Sequence, residues 1–434
     1  MWKMLTRKMK DSGIKWIGEI PEDWEIRKLK YTLEERNEKN NPIITDNILS
    51  LSVERGIFPY AEKTGGGNKS KSDLTAYKVA HPNDIVINSM NILAGAVGLS
   101  RYTGVVSPVY YTLYTTSEEI NITYYYYLFR TREFQRSLLG LGNGIMMRES
   151  STGKLNTIRM RIPMDKLAGL FLPLPPRRVQ DLIVKSLAKD IKVVNKLITQ
   201  TEQSIKELKK YKQSLITESV TKGIDPNVEM KDSGVEWIGD IPKHWNFIKG
   251  KYIFEKLQRP IRCDEIVTAF RDGQVMQRSK RRTEGFTTSL KEIGYQGVEK
   301  GDLVIHSMDA FAGAIGISQD NGKCSPVCIV LNSSNSNIYN PYFSYLMKVY
   351  AYLGYIESMA KGIRVRSTDF KYHTFANTFL LIPELQEQQQ IVQYLDDKVS
   401  TIDRLIEDKI KVIEELENYK KSLIYEYATG KKEV

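Results

Sequence analysis

The sequence predicts two related α/β (α+β) globular domains, in pseudo-symmetric copies, separated by two long helices that form a coiled coil. Three observations carry this. A sixteen-residue segment occurs twice, each globular part is followed by a long stretch without internal Gly or Pro, and both stretches carry the same seven-residue apolar repeat.

The repeat organises the chain. MKDSGIKWIGEIPEDW (9–24) returns as MKDSGVEWIGDIPKHW (230–245), 221 residues later. DIVINSM (84–90) returns as DLVIHSM (302–308), and AGAVGLS (94–100) as AGAIGIS (312–318), now 218 apart. Ser107-Pro108-Val109 against Ser325-Pro326-Val327 keeps that spacing, as do Gly144 and Arg148 against Gly362 and Arg366. YKQSLI (211–216) and YKKSLI (419–424) are 208 apart, so the second globular part is the shorter, losing residues between Arg148 and Pro175. The implied domains are 1–173, a helix over 174–223, a second domain over 224–381 and a second helix over 382–434.

Each globular part alternates short β-branched and aromatic runs with Gly, Asn, Ser and Pro, the pattern of short strands and turns. Asp84 and Asp302 stand at the start of equivalent strands, and one helix is expected in each part, over Thr123–Leu138 and Pro341–Ile356. The seven-spaced ladders are Leu187, Val194, Thr201, Leu208 and Leu215 in one long helix and Leu395, Ile402, Lys409, Leu416 and Leu423 in the other. Ile191, Ile198 and Ile205, matched by Val399, Ile406 and Ile413, widen the stripe, which reads as coiled-coil packing and partner docking.

Composition excludes several classes. With 41% hydrophobic and 26% charged residues among 434, global disorder does not fit. The weakly polar stretch 167–176 contains three prolines and is about half the length a bilayer crossing needs. Residues 1–10 show no apolar signal core, and three cysteines suit a reducing compartment, so a cytoplasmic protein without membrane association is expected. A formal charge of +11 favours a polyanionic partner, most simply nucleic acid.

With WIGEIP or WIGDIP before each globular part, and LPLPP…QDLI or LIPELQEQQQIV at the start of each long helix, the chain resembles the specificity subunit of a type I restriction-modification system along its whole length. Glu387-Gln388 and Ile391 keep the family's helix-start motif, whereas the first helix is read as departing from it, with Arg178-Val179 at the corresponding place. The resemblance implies two target recognition domains, each reading half of a split, asymmetric site in double-stranded DNA. It also implies an antiparallel helix pair as spacer, so that Thr201 and Lys409, the polar members of the two ladders, approach each other near its centre. Two methyltransferase (modification) subunits and restriction subunits are the implied partners. S-adenosylmethionine, ATP and Mg then belong to those partners, and no cofactor to this chain. A non-catalytic, repeat-built DNA-binding scaffold of another phage-defence assembly is the alternative.

Readings as an enzyme find little support. Asn340-Pro341-Tyr342-Phe343 is one residue from the Asn-Pro-Pro-Phe pattern of amino-methyltransferases, but its counterpart Ile122-Thr123-Tyr124-Tyr125 loses Asn-Pro, and a helix start with core aromatics explains both. Gly95, Gly98, Gly313 and Gly316 lack the glycine that would open a dinucleotide loop and read as tight turns. TGGGNKS (64–70) has Asn68 where a phosphate loop needs Gly. Cys324 and Cys328 face Val106 and Tyr110 in the repeat, which suits strand core rather than metal. None of His81, His244, His306 and His373 is shared between the halves, and Ser107 and Ser325 read as turn residues. No catalytic residue and no metal ligand is therefore assigned.

For DNA contact, two loops at equivalent places are basic yet otherwise unlike: Asn68, Lys69, Ser70 and Lys71 in one half, Gln277, Arg278, Lys280, Arg281 and Arg282 in the other. That combination suits readers of different sequences. A second pair of segments offers Arg148 and Lys154 against Arg364 and Arg366.

Overall fold

A computed structural model describes residues 7–64, 73–142, 148–149, 155–156, 161–281, 292–359 and 369–434, with backbone only at 148–149 and 155–156. It divides into two compact units, 1–202 with 411–434, and 203–410. The first long helix runs Arg177–Lys222 and the second Leu385–Ala428, so each unit takes part of both.

In the first unit a four-stranded antiparallel sheet has the order Glu34–Glu35, Tyr110–Tyr114, Ile85–Asn88, Val97–Leu99. Around it lie a hairpin, Leu49–Ser52 with Gly56–Pro59, and the pair Lys78–Ala80 with Gly104–Val106. Glu25–Lys28 pairs with Phe171–Leu174 just before the long helix begins. The second unit has the same sheet, Glu255–Lys256, Cys328–Asn332, Leu303–His306, Ile315–Ile317. Its hairpin is Val267–Ala269 with Val275–Gln277, and Asn246–Lys249 closes on Phe379–Ile382. All these pairs are antiparallel, which places the fold on the α+β side of the predicted class.

The expected single helix of each globular part is broken. Ile122–Phe129 stops before Thr131, whose hydroxyl accepts the N–H of Phe134 and starts a new helix, Arg132–Ser137. In the second unit Asn340–Tyr352 ends at Gly354, whose φ of +77° terminates it before Tyr355–Met359. The glycines also differ from expectation. Gly95 and Gly313, with φ near +90°, are turn residues, but Gly98 and Gly316 lie inside strands. A Cβ on Gly98 would stand 2.6 Å from the Ile57 nitrogen, and one on Gly316 would stand 2.2 Å from the Gly273 oxygen. Close approach of the neighbouring hairpin is what requires them.

The apolar ladders turn inward. Leu187, Val194, Leu215, Leu395, Ile402 and Leu423 are buried, while Thr201, Leu208, Lys409 and Leu416 are half-buried. They join the cores of the globular parts: Leu187 and Val194 pack in one cluster with Leu423, Tyr124 and Trp24, and Leu215 in another with Leu395, Tyr342 and Trp245. Within each unit the helix segments run antiparallel. Lys420 bonds Asn195 and Tyr427 bonds Asp190 in the first, and Lys212 bonds Asp403 at 2.6 Å in the second. Thr201 belongs to the first unit, where its hydroxyl donates to the Leu197 carbonyl, and Lys409 belongs to the second.

Candidate nucleic-acid interface

Two buried joints seat each globular part on its helices. The hydroxyl of Tyr124 donates to the Ala428 carbonyl at the end of the second long helix, and that of Tyr342 to the Val220 carbonyl near the end of the first. At the helix starts, the fully buried Gln388 amide donates to the carbonyls of Asn337 and Pro383 while its oxygen accepts the N–H of Tyr339. Gln180 does the same with Glu119, Pro175 and Asn121. The first helix therefore keeps the motif's glutamine at Gln180, one residue beyond Arg178-Val179, correcting the sequence register. What differs is its neighbour. Glu387 accepts hydrogen bonds from His244 (2.8 Å) and the Trp245 indole (2.9 Å), whereas Val179 offers nothing, and among the described residues the buried Trp24 indole N–H meets no acceptor.

Behind the sheet, one carboxylate in each unit organises the strand start. Asp84, almost wholly buried, accepts the N–H of His81 and the guanidinium of Arg36 at 2.9 Å. Asp302 accepts the N–H of Glu299 and the guanidinium of Arg259 at 2.6 Å. The arginines come from positions two residues apart in the repeat frame, so the buried charge is kept while the chain route to its partner shifts.

At the opposite end of these strands the first unit opens a cleft of about 840 Å³. The hairpin tip supplies Ser52, Glu54 and Arg55, the following turn Tyr60 and Lys63, the strand end Asn88 and Asn91, and the facing strand Ser107, Pro108 and Tyr110. Arg55 pairs with Glu62 and lies 4.0 Å over Phe58. Burial, with Tyr77 nearby, pushes the Tyr110 phenol above its ordinary range, so it stays a neutral hydrogen-bonding group. Asn88 accepts the N–H of Met90 with its side-chain oxygen; among the described residues its amide N–H₂ and the exposed Asn91 side chain have no partner.

Of the predicted contact residues, Asn68, Lys69, Ser70, Lys71, Lys154, Arg282, Arg364 and Arg366 lie outside the described residues. Residues 64 and 76, which bracket the first of these loops, both line the cleft. Arg148 is in a short strand, Arg148–Glu149, paired with Leu155–Asn156. Gln277, Arg278, Lys280 and Arg281 are described, and each is bonded within its own unit. Asp320 receives the Gln277 backbone N–H and the Lys280 ammonium, and these two hold its carboxyl below the ordinary range. Burial opposes ionisation of Asp272, yet Arg281 at 2.8 Å and the Gln274 N–H still bring its carboxyl below the usual value. Arg278 begins a 3-10 turn, and its N–H donates to the Ile266 carbonyl.

The structure adds candidates that the sequence did not single out for DNA contact: Arg55, Tyr60, Asn88 and Asn91 in the first unit and Arg271, His306 and Asp309 in the second. A signal was available: Val86, Ile87, Ser89 and Met90 recur as Val304, Ile305, Ser307 and Met308, while Asn88 becomes His306 and Asn91 becomes Asp309. Around the second strand end, Arg271 from the hairpin tip bonds Asp309 at 2.7 Å and lies over Phe311. Among the described residues the buried Nδ1 of His306 has no hydrogen bond, with Asp309 3.4 Å away.

Residues 265–415 match the family described as the Type I restriction modification DNA specificity domain. The type I restriction enzyme MjaVIII specificity subunit of Methanocaldococcus jannaschii is 22% identical over 440 residues, 95% of this chain and 93% of that protein. Over nearly its whole length the chain is similar to a type I specificity subunit. The putative MjaX specificity subunit of the same organism is 25% identical over 249 residues, and there the match spans 53% of the relative's length. In fold, the chain is similar to one from a solved type I R-M system, described for its complex assembly and conformational transition (TM-score 0.67, 15% identity, 95% of this chain and 99% of that one). It is also similar to the HsdS subunit of Thermoanaerobacter tengcongensis (TM-score 0.55, 14% identity, 95% and 98%). No described helix of the chain is long and apolar enough to cross a membrane, and no described cluster of His, Cys, Asp and Glu could hold a metal ion.

Proposed function

We propose that this chain selects the DNA target of a type I restriction-modification complex and performs no chemistry itself. Residues 20–173 read one half of a bipartite, asymmetric duplex site and residues 241–381 read the other. The long helices hold the spacing and dock two methyltransferase subunits, with restriction subunits joining them; S-adenosylmethionine, ATP and Mg belong to those partners. The observation that carries the reading is the duplicated unit, whose sheet, buried Asp and helix joints recur while the side chains at the strand end differ. Two related frames with different polar mouths suit two different half-sites. Lys280 and Arg281 follow the second hairpin, where bound phosphates would compete with Asp320 and Asp272 for these cations.

Replacing residues 20–173 with the corresponding domain of a relative, in the assembled complex, should change one half of the methylated site and leave the other half and the gap unchanged. A simultaneous change in both halves would sink the modular reading. The purified chain incubated with S-adenosylmethionine and duplex DNA should transfer no methyl group.

A further inference from the structure

We propose that the turn closing the central strand is the base-reading edge of each unit: Asn88 and Asn91 address an adenine in the first half-site, and Arg271, backed by Asp309 and His306, addresses a guanine in the second. This rests on the DNA-reading function and names the groups that perform it.

The turn shares its anchoring bonds between the two copies. Ser89 and Ser307 donate their hydroxyls to the carbonyls of Val109 and Val327, anchoring the turn to the neighbouring strand, and their own carbonyls accept the N–H of Ile162 and of Phe370. Asn91 and Asp309 each donate their N–H to the residue three before and accept two N–H groups on their backbone carbonyls. The backbone is therefore spoken for, and the side chains at 88, 91, 306 and 309 are the variables. In the first unit they project carboxamides into the open cleft, with the donors of both uncommitted among the described residues. A carboxamide matches the adjacent acceptor and donor of adenine in the major groove. In the second unit the Asp309 carboxylate takes Nε and Nη2 of Arg271, holding the guanidinium of a side chain that stays 60% exposed. A guanidinium presents paired donors to the two acceptors of guanine.

The test uses the complete complex with its modification subunits, selecting binders from a randomised duplex pool, so that sequence preference is read even where methyl transfer is lost. Asn91→Ala leaves the backbone bonds of the turn in place and should relax one A·T position of one half-site by about tenfold, with the other half unchanged. Arg271→Ala should relax one G·C position of the other half-site to a similar degree, and Asp309→Asn should weaken the same position less. Unchanged preference in both variants would overturn the proposal. So would relaxation at a base pair of the wrong type, or in both halves at once. A wild-type complex that selects no sequence would instead overturn the DNA-reading function itself.

Discussion

Among the described residues the first unit gives the Trp24 indole no acceptor where the second gives Trp245 the Glu387 carboxylate, although Gln180 and Gln388 make matching networks at the two helix starts. The strand-end turns show the same division: Asn88 and Asn91 line an open cleft in one unit, while in the other Arg271 is bonded to Asp309, with His306 3.4 Å from that carboxylate. Positions whose hydrogen bonds go to the backbone recur, because their loss would leave buried groups unpaired whatever the target. Positions whose groups face solvent or another side chain are free to diverge.

That contrast can be broken first at the buried carboxylates. Asp84→Ala and Asp302→Ala each strip a guanidinium and a backbone N–H of their acceptor and should destabilise their own unit by about 3 kcal/mol, read by calorimetry of the full chain. If only one of the two mattered, the shared-frame argument would fail.

Gln180→Ala and Gln388→Ala should come next, at about 2 kcal/mol each, because two carbonyls and one N–H lose a buried partner. Equal costs in the two units are expected, and a large difference would mean that the joint is not equivalent.

Glu387→Val copies the first unit's side chain into the second and should cost about 1 kcal/mol by leaving the Trp245 indole without its acceptor. The reciprocal Val179→Glu offers Trp24 a carboxylate and should be neutral or stabilising by less than about 1 kcal/mol. Thermal unfolding of both variants sharpens the comparison, since a loss in each would show that the sites differ by more than this one residue.

The smallest effect concerns pH. Burial holds the His306 imidazole below its ordinary range, Asp309 pulls the other way, and Arg278 and Arg271 reinforce the shift. Below about pH 6.5 the unfolded chain therefore binds more protons than the native unit, so stability falls on acidification through that window and recovers above it. His306→Asn, which installs the first unit's residue, should flatten this part of the pH profile of unfolding.

Much of the fold was legible because it is written in repetition and period. The 221-, 218- and 208-residue offsets, the seven-spaced ladders and the Gly- and Pro-free stretches depend only on residue identity along the chain, and they located both long helices. Gln180 was within reach too, since the 208-residue offset pairs it with Gln388, as it pairs Ile183-Val184 with Ile391-Val392.

Other features depended on through-space partners. Whether a glycine serves a turn or a close approach depends on the distance to another segment, as Gly98 against Ile57 shows. Whether a lysine or arginine faces outward depends on which carboxylate folds beside it, and Asp320 and Asp272, from elsewhere in the chain, captured Lys280 and Arg281. The sequence by itself determined the duplicated architecture and its helices, because local periodicity and internal identity need no partner. Only the tertiary structure decided which polar groups are spent inside each unit and which remain open to solvent, because hydrogen-bond satisfaction is settled by which segments fold beside one another.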